Sequence, residues 1–213
     1  MPRHPRTAAS YARRGPQREP YDVVLIVCEG AKTEPHYFEG LKRAWRLSSA
    51  NIHVQSPNAS DPPNLVAYAM QQLKTGGYDR VFCVFDRDSH AGFDQALNQI
   101  AQSEEGQGGR LTAIVSWPCF EVWIRLHFGF TTKEFTATGK RSACDNVICD
   151  LNGHLNNYAK GSKTIFAELE RKLGDALANA ERLAAHNAKT GTQSPATEIH
   201  DLIAYLRGLK PPP

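Results

Sequence analysis

The sequence lacks a long apolar run, and no stretch approaches the roughly 18 residues that a membrane-spanning helix needs. The arginines near the N-terminus are not followed by an apolar segment, so we do not expect a secretory signal. Cysteine is scarce, with five residues in the chain, an odd number. We therefore expect reduced thiols in a cytoplasmic protein, without a disulfide framework, a zinc site or membrane contact.

What the chain does have is the composition of a protein that can bury a proper core. Its 213 residues are 41% hydrophobic and 22% charged, which fits one large domain or a compact domain with an appended helical part. The net charge of +3 is uneven, because residues 1–20 hold five arginines and one acid and so carry +4. We predict a disordered basic arm over 1–20, either a solvated tail or an added contact to nucleic acid.

Short apolar runs alternate with helical periods through the first part of the chain. This order is typical of a parallel sheet with right-handed crossovers and helices on both faces. We predict a parallel four-stranded α/β core over 21–128, with strands at 22–27, 52–55, 80–85 and 111–117.

The pattern changes after Trp117. We interpret 118–128 as a buried helix opened by Pro118, whereas 129–162 has no clean period. Apolar residues return at helical spacing over 163–187, and a last helix is expected with Ser194 as its cap and Pro195 in its first turn. Residues 129–213 are therefore predicted to form a helical extension packed on the core.

Acidic side chains follow two of the predicted strands. Glu29 comes directly after the first strand, and Asp86 and Asp88 come directly after the third. Ligands of open parallel sheets bind beyond the carboxyl ends of the strands, so neighbouring strands would bring these carboxylates together. Such a group needs a cation or a proton, and oxygen ligands of this kind suit Mg²⁺ or Mn²⁺. The ordinary alternative is a turn glycine after Glu29 and capping aspartates after the third strand.

Four segments, taken in order, resemble the successive blocks of the RloB-like family: "VLIVCEGAKTEPHYFEGLK", "VFCVFDRDSH", "PCFEVWIRLHF" and "SPATEIHDLI". The resemblance spans roughly residues 22–207 and implies a Toprim-type catalytic core associated with bacterial defence. It further implies that Glu29 is the general acid/base and that Asp86 and Asp88 hold the metal. The third block departs from the family's commoner form, with Trp117 where an asparagine is usual.

Three further residues are candidates for the same site. Glu121, near the start of the helix after strand four, would bind a second metal or a water, or else complement the helix dipole. Lys32 in the first loop would contact the scissile phosphate, unless it is a solvated loop lysine. His90 lies within reach of the site, although a capping or surface histidine is as reasonable.

Basic residues also occur in two later polar loops. They are Lys140, Arg141, Lys160 and Lys163, with Tyr158 nearby as a stacking surface. Basic loops that contact the phosphates of the backbone would strengthen the binding of nucleic acid to a small acidic site. We therefore predict nucleic-acid contact at these loops. Short lysine loops are otherwise ordinary solvated surface.

The prediction from these residues and the resemblance is a Mg²⁺- or Mn²⁺-dependent endonuclease that hydrolyses DNA or RNA. By analogy with the family, it would be an effector of antiviral defence of the abortive-infection type, with a partner ATPase or another defence subunit. The alternative from another class is a non-enzymatic nucleic-acid-binding or regulatory subunit. A phosphotransfer receiver is disfavoured, because the first strand is followed by one acid instead of a pair.

Overall fold

A computed structural model of the protein describes residues 22–47, 52–57, 61–87, 92–155 and 158–209. The predicted basic arm, Asp88 and His90 lie outside these described residues. The strands are β1 (Val24–Cys28), β2 (Ile52–Gln55), β3 (Arg80–Asp86), β4 (Leu111–Trp117) and β5 (Ala196–Thr197). The helices are α1 (Thr33–Ala44), α2 (Pro62–Thr75), α3 (Phe93–Gln102), α4 (Glu104–Gln107), α5 (Glu121–Leu126), α6 (Ala143–Leu151), α7 (Ile165–Leu169), α8 (Leu173–Thr190) and α9 (Ile199–Gly208).

The strands form one mixed sheet in the order β2-β1-β3-β4-β5. The first four strands are parallel, as predicted, and β5 pairs antiparallel with β4. All five residues of β1 are buried, because a central strand of a parallel sheet is covered by helices on both faces. The prediction of an α/β protein with flanking helices is confirmed. The sheet has five strands instead of the predicted four, because β5 is added at the edge.

Two hydrophobic cores lie on the two faces of this sheet. Successive side chains of a strand point to opposite faces, so Leu25 and Val27 enter one core while Val24, Ile26 and Cys28 enter the other. The first core is closed by α2 and α3. The second is larger and is closed by α1 together with α5 to α9, so the late helices share the core of the sheet.

One close contact fastens the late helices to α1. A Cβ atom at Gly40 would lie 2.6 Å from the Cβ of Phe166 in α7, so only glycine permits this approach. The long α8 ends at Gly191, whose φ of 73° is the left-handed conformation common after helices. The late helices therefore pack tightly on the sheet layer.

The prediction of a last helix that begins at Ser194 and Pro195 is wrong. Ala196 and Thr197 instead extend along the open edge of β4, and α9 begins at Ile199. The Thr197 and Ser116 hydroxyls are 2.9 Å apart. The Val115 amide donates to the Glu198 carboxylate at 2.8 Å. Backbone groups of β4 that would otherwise lack partners are satisfied in this way.

Residues 129–162 show no clean period in the sequence, yet they contain the helix α6. This helix buries only Val147 and Leu151, so its apolar period is short. The helix begins with a capping box, in which the side chains of Ser142 and Asp145 each accept a hydrogen bond from the other residue's backbone N–H. This pair of residues in the sequence indicates a helix start.

Cys119 and Cys144 form a disulfide that ties the segment before α5 to α6. The expectation of free thiols is therefore wrong for this pair, whereas Cys28, Cys83 and Cys149 are free. No helix within the described residues has the length and apolar character needed to cross a bilayer.

Candidate active site

Glu29 and Asp86 meet at the carboxyl edge of the sheet, because β1 and β3 are neighbours. The backbone N–H of Glu29 donates to the Val84 carbonyl at 2.9 Å, which continues the β1–β3 ladder past the end of β1. The backbone N–H of Asp86 donates in turn to Oε2 of Glu29 at 3.2 Å. The predicted convergence of these two residues is therefore present.

A cavity of about 340 Å³ opens at this edge, and we call it the acid cavity. Four carboxylates line it, from the ends of β1 and β3 and from the first turns of α1 and α5. Two lysines and a short glycine-containing loop complete the lining. The full set is Glu29, Gly30, Ala31, Lys32, Thr33, Glu34, Asp86, Glu121 and Lys160.

Glu34 is a member of this group that the sequence reasoning missed. It lies in the first turn of α1 and is 8% exposed. Its carboxylate lies directly over Gly30, where a Cβ atom would overlap with Oε2. Any side chain at position 30 would therefore have to displace the Glu34 carboxylate. The readable signal was a second glutamate five residues after Glu29, where a helix starts at the same edge of the sheet.

The negative charge in the acid cavity is poorly compensated. Burial raises the pKa of Glu34 to about 7, and the carboxylates of Glu121 and Glu29 add to the rise. Its own backbone N–H and the Lys160 ammonium oppose the rise without cancelling it. Burial raises the pKa of Asp86 well above its usual value too, with Glu34, Glu121 and Glu29 contributing. A cluster in this state favours the uptake of a proton or a cation.

Glu121 is held at the start of α5, which is shorter than the predicted 118–128 helix. It is 2% exposed, and the Tyr158 hydroxyl donates to its Oε1 at 3.0 Å. Its Oε2 lies 3.4 Å from Nζ of Lys160 and 3.3 Å from Sγ of Cys144. Tyr158 is buried and supports Glu121, so it is not the exposed stacking surface that we predicted.

Lys160 reaches the acid cavity from a loop that is anchored on α1. The Gly161 amide donates to the Thr33 hydroxyl at 3.0 Å, and the Gly161 carbonyl lies 3.0 Å from Nδ1 of His36. These bonds hold Lys160 with 52% of its side chain exposed at the rim. Lys32 is exposed at the same rim.

The remaining basic candidates are not gathered at the acid cavity. Lys140 and Arg141 are exposed in a turn closed by the Thr138–Arg141 bridge. Lys163 lines a different cavity, beside α1 and α7. Of the four lysines and arginines predicted to contact nucleic acid, Lys160 is the one that lines the acid cavity.

The residues present fit a hard divalent cation. Mg²⁺ and Mn²⁺ prefer carboxylate oxygens, and burial, together with the neighbouring carboxylates, raises the pKa values of Glu34 and Asp86. Cys119, Glu121 and Cys144 also offer ligand atoms within 4.8 Å of one another. Their two sulfurs are bonded to each other, so this second set offers no thiolates while the disulfide stands.

The fold and this cavity define an α/β protein with an acidic cavity at the carboxyl edge of a mostly parallel sheet. The family model described as "RloB-like protein" matches residues 24–206, so the chain belongs to the RloB-like family, as its sequence blocks predicted. Comparison with curated proteins and with solved structures gives no match.

Proposed function

We propose that this protein is a metal-dependent nuclease of Toprim type that hydrolyses phosphodiester bonds of DNA or RNA. The observation that carries the proposal is the acid cavity, where four carboxylates converge beneath two lysines. A phosphodiester is an anion, so a purely acidic cavity would repel it. Carboxylates for a cation together with lysines for a phosphate are the combination that phosphoryl transfer uses.

Glu29 and Asp86 would hold Mg²⁺ or Mn²⁺, together with Asp88, which lies outside the described residues. A cation bound there would polarise the phosphate and favour an attacking water. Glu121 is well suited to orient that water or to support the cation, because Tyr158 fixes its carboxylate. Lys32 and Lys160 would contact the phosphate at the rim.

Proton transfer needs a group that exchanges protons near neutral pH. The family resemblance assigns this role to Glu29. Glu34 is a second group suited to it, because it lines the same cavity and, without a cation, burial raises its pKa to about 7. The two glutamates line the same cavity, so a proton could pass between them and the reacting oxygens.

The cellular role rests on family resemblance alone. Membership in the RloB-like family supports an effector of bacterial antiviral defence of the abortive-infection type, acting in the cytoplasm. A partner ATPase or another defence subunit would restrain or trigger it. The rival proposal keeps the fold and the family but makes the chain a non-enzymatic nucleic-acid-binding or regulatory subunit.

The direct test incubates the purified protein with single-stranded DNA, duplex DNA and structured RNA, in Mg²⁺, Mn²⁺ or EDTA. Glu29→Gln and Asp86→Asn remove one carboxylate each. Glu181→Gln, an exposed position on α8, is the matched control. We expect metal-dependent cutting that the first two variants abolish and the control retains. Cutting that survives both substitutions would refute the assigned site, and no cutting of any polymer would favour the regulatory subunit.

A further inference from the structure

A stacked pair of side chains stands beside the acid cavity. Arg87 follows Asp86 directly, and its backbone N–H donates to the Ser116 carbonyl at 2.7 Å, so β3 and β4 stay paired up to this point. The Arg87 guanidinium carbon lies 4.0 Å from the centre of the Trp117 ring and 5.0 Å from that of Phe93. The backbone of two paired strands therefore holds a flat aromatic and cationic surface one residue beyond Asp86.

Arg87 and Trp117 form one wall of a cavity of about 430 Å³, which we call the Trp117 pocket. Its other walls are small and mostly apolar. The lining includes Arg87, Trp117, Pro118, Ala137, Ala143 and Cys144. Arg87 is the charged member among the described residues that line it, so the pocket joins flat apolar surface to one positive charge.

The Trp117 pocket and the acid cavity share a wall. Sγ of Cys144 lies 3.3 Å from Oε2 of Glu121 and 3.3 Å from Nζ of Lys160, and both of those residues line the acid cavity. On the strand side, Asp86 lines one cavity and Arg87 lines the other. A strand with a phosphate in the acid cavity would therefore have its neighbouring nucleotide next to the Trp117 pocket.

We propose that the Trp117 pocket receives an unpaired nucleobase of the strand that the acid cavity cuts, an inference that rests on the proposed nuclease function. Aromatic rings and guanidinium planes stack on the face of any base, and single-stranded nucleic acid is bound in this manner. A base within a duplex is already stacked on both faces, so it cannot present a face to Trp117. The substrate class is therefore a single-stranded segment, or a loop or end with an unpaired nucleotide beside the cleaved bond.

The test measures the affinity of the full-length protein by the fluorescence anisotropy of end-labelled strands, with Ca²⁺ in place of Mg²⁺, and uses tryptophan emission as a separate signal of stacking. The probes are a twelve-nucleotide oligothymidylate, its oligouridylate counterpart, a duplex of the same length and an abasic strand with the same phosphates. The two single strands decide between DNA and RNA. The abasic strand separates base stacking from phosphate attraction.

We expect a single strand to quench the emission of the wild type. Trp117→Phe should lose most of that quenching and keep its affinity, because phenylalanine still stacks. Trp117→Ala should weaken binding of the base-bearing strand about tenfold and leave the abasic strand unchanged. The matched control is Trp45→Ala, because Trp45 also lies beside an arginine. The Arg207 guanidinium carbon is 5.8 Å from the centre of the Trp45 ring. That control should bind as the wild type does.

Three binding results would each overturn the proposal: equal loss of the base-bearing and abasic strands in Trp117→Ala, equal quenching by duplex and single strand, or no binding of any strand. Cleavage assays separate this failure from failure of the nuclease assignment. Cutting that depends on Glu29 while Trp117→Ala leaves KM unchanged would keep the nuclease and refute the pocket. Base-dependent binding through Trp117 without cutting would keep the pocket and favour a binding subunit.

Discussion

Two residues one helical turn apart on α5, Glu121 and Arg125, belong to two acidic sites that differ in what compensates their negative charge. Glu121 begins the helix and faces the acid cavity, where Glu34 and Asp86 have raised pKa values. Arg125 lies one turn later and donates from Nε to Asp150 at 2.7 Å, and Lys133 donates to the same carboxylate at 2.7 Å. Burial alone would raise the pKa of Asp150, but these two bonds outweigh burial and lower it.

The difference separates a structural ion pair from the site at which we propose that a cation binds. Asp150 has two cations in direct contact, so its charge stabilises the packing of α5 against α6. In the acid cavity, Lys160 lies 3.4 Å from Glu121, and its other contact is Sγ of Cys144. Uncompensated negative charge at the edge of a sheet lowers the free energy of unfolding. A bound cation neutralises that charge and restores the lost stability. Four experiments test this comparison.

The largest expected effect is on cleavage. Glu29→Gln should lower the rate by at least about a hundredfold, because it removes the carboxylate assigned to proton transfer and metal binding. Asp150→Asn should cut at the wild-type rate. The measurement is single-turnover cleavage of the preferred strand in Mg²⁺. Equal losses in the two variants would mean that the two groups do not differ in function.

The next effect is the pH dependence of stability without metal. The pKa of Glu34 is raised from its ordinary 4.5 to about 7, so the folded state binds its proton more tightly than the unfolded state does. The resulting stability is fully present below about pH 4.5 and is lost as pH rises through about 7, up to about 3 kcal/mol. Denaturant titrations from pH 4.5 to 8.5 should show a shallower decline for Glu34→Gln than for the wild type. Glu181→Gln should follow the wild type, and identical slopes in all three proteins would exclude this role for Glu34.

The third effect is on stability, and it differs between the Asp150 and Asp86 carboxylates. Asp150→Asn should destabilise the fold by about 2 kcal/mol, because it weakens charge-assisted bonds to Arg125 and Lys133. Asp86→Asn should leave stability unchanged or raise it at pH 8 in EDTA, because it removes an uncompensated charge. Thermal melts of both variants at that pH measure the difference. A loss of stability in Asp86→Asn would show that its charge is compensated.

The smallest effect is stabilisation by the cation. At a Mg²⁺ concentration ten times its Kd, the wild type should gain about 1.4 kcal/mol. Asp150→Asn should gain as much, and Glu29→Gln should gain little. Melts at increasing Mg²⁺ and at matched ionic strength provide the measurement. The same gain in Glu29→Gln would place the bound cation elsewhere.

Sequence reasoning reached one half of the acid cavity and missed the other. Glu29 and Asp86 were predictable, because each follows an apolar run and parallel strands end at one edge. Glu34 looked like an ordinary acid in the first turn of a helix, and only the direction of α1 turns its carboxylate over Gly30. Lys160 was predicted as a surface contact to nucleic acid. Its place at the acid cavity depends on bonds from Gly161 to α1, more than a hundred residues away in sequence.

Some elements of secondary structure were predictable from the sequence, and others were not. The strong β-branched runs of β1, β3 and β4 were predictable because burial on both faces requires continuous apolar sequence. The short α6 was missed because it buries only Val147 and Leu151. Ser194 and Pro195 resemble a helix start, but the following two residues pair with the open edge of β4 and form β5.

The sequence by itself determined the alternating α/β order, the family and the positions of Glu29 and Asp86 at the ends of their strands. These features depend on local hydrophobic pattern and on the chain order of short motifs, both of which are written along the chain. The tertiary structure alone decided that Glu34, Glu121 and Lys160 join them and that Trp117 stacks on Arg87 beside the acid cavity. These contacts join residues far apart in the chain, so their distances depend on how helices and loops pack against the sheet.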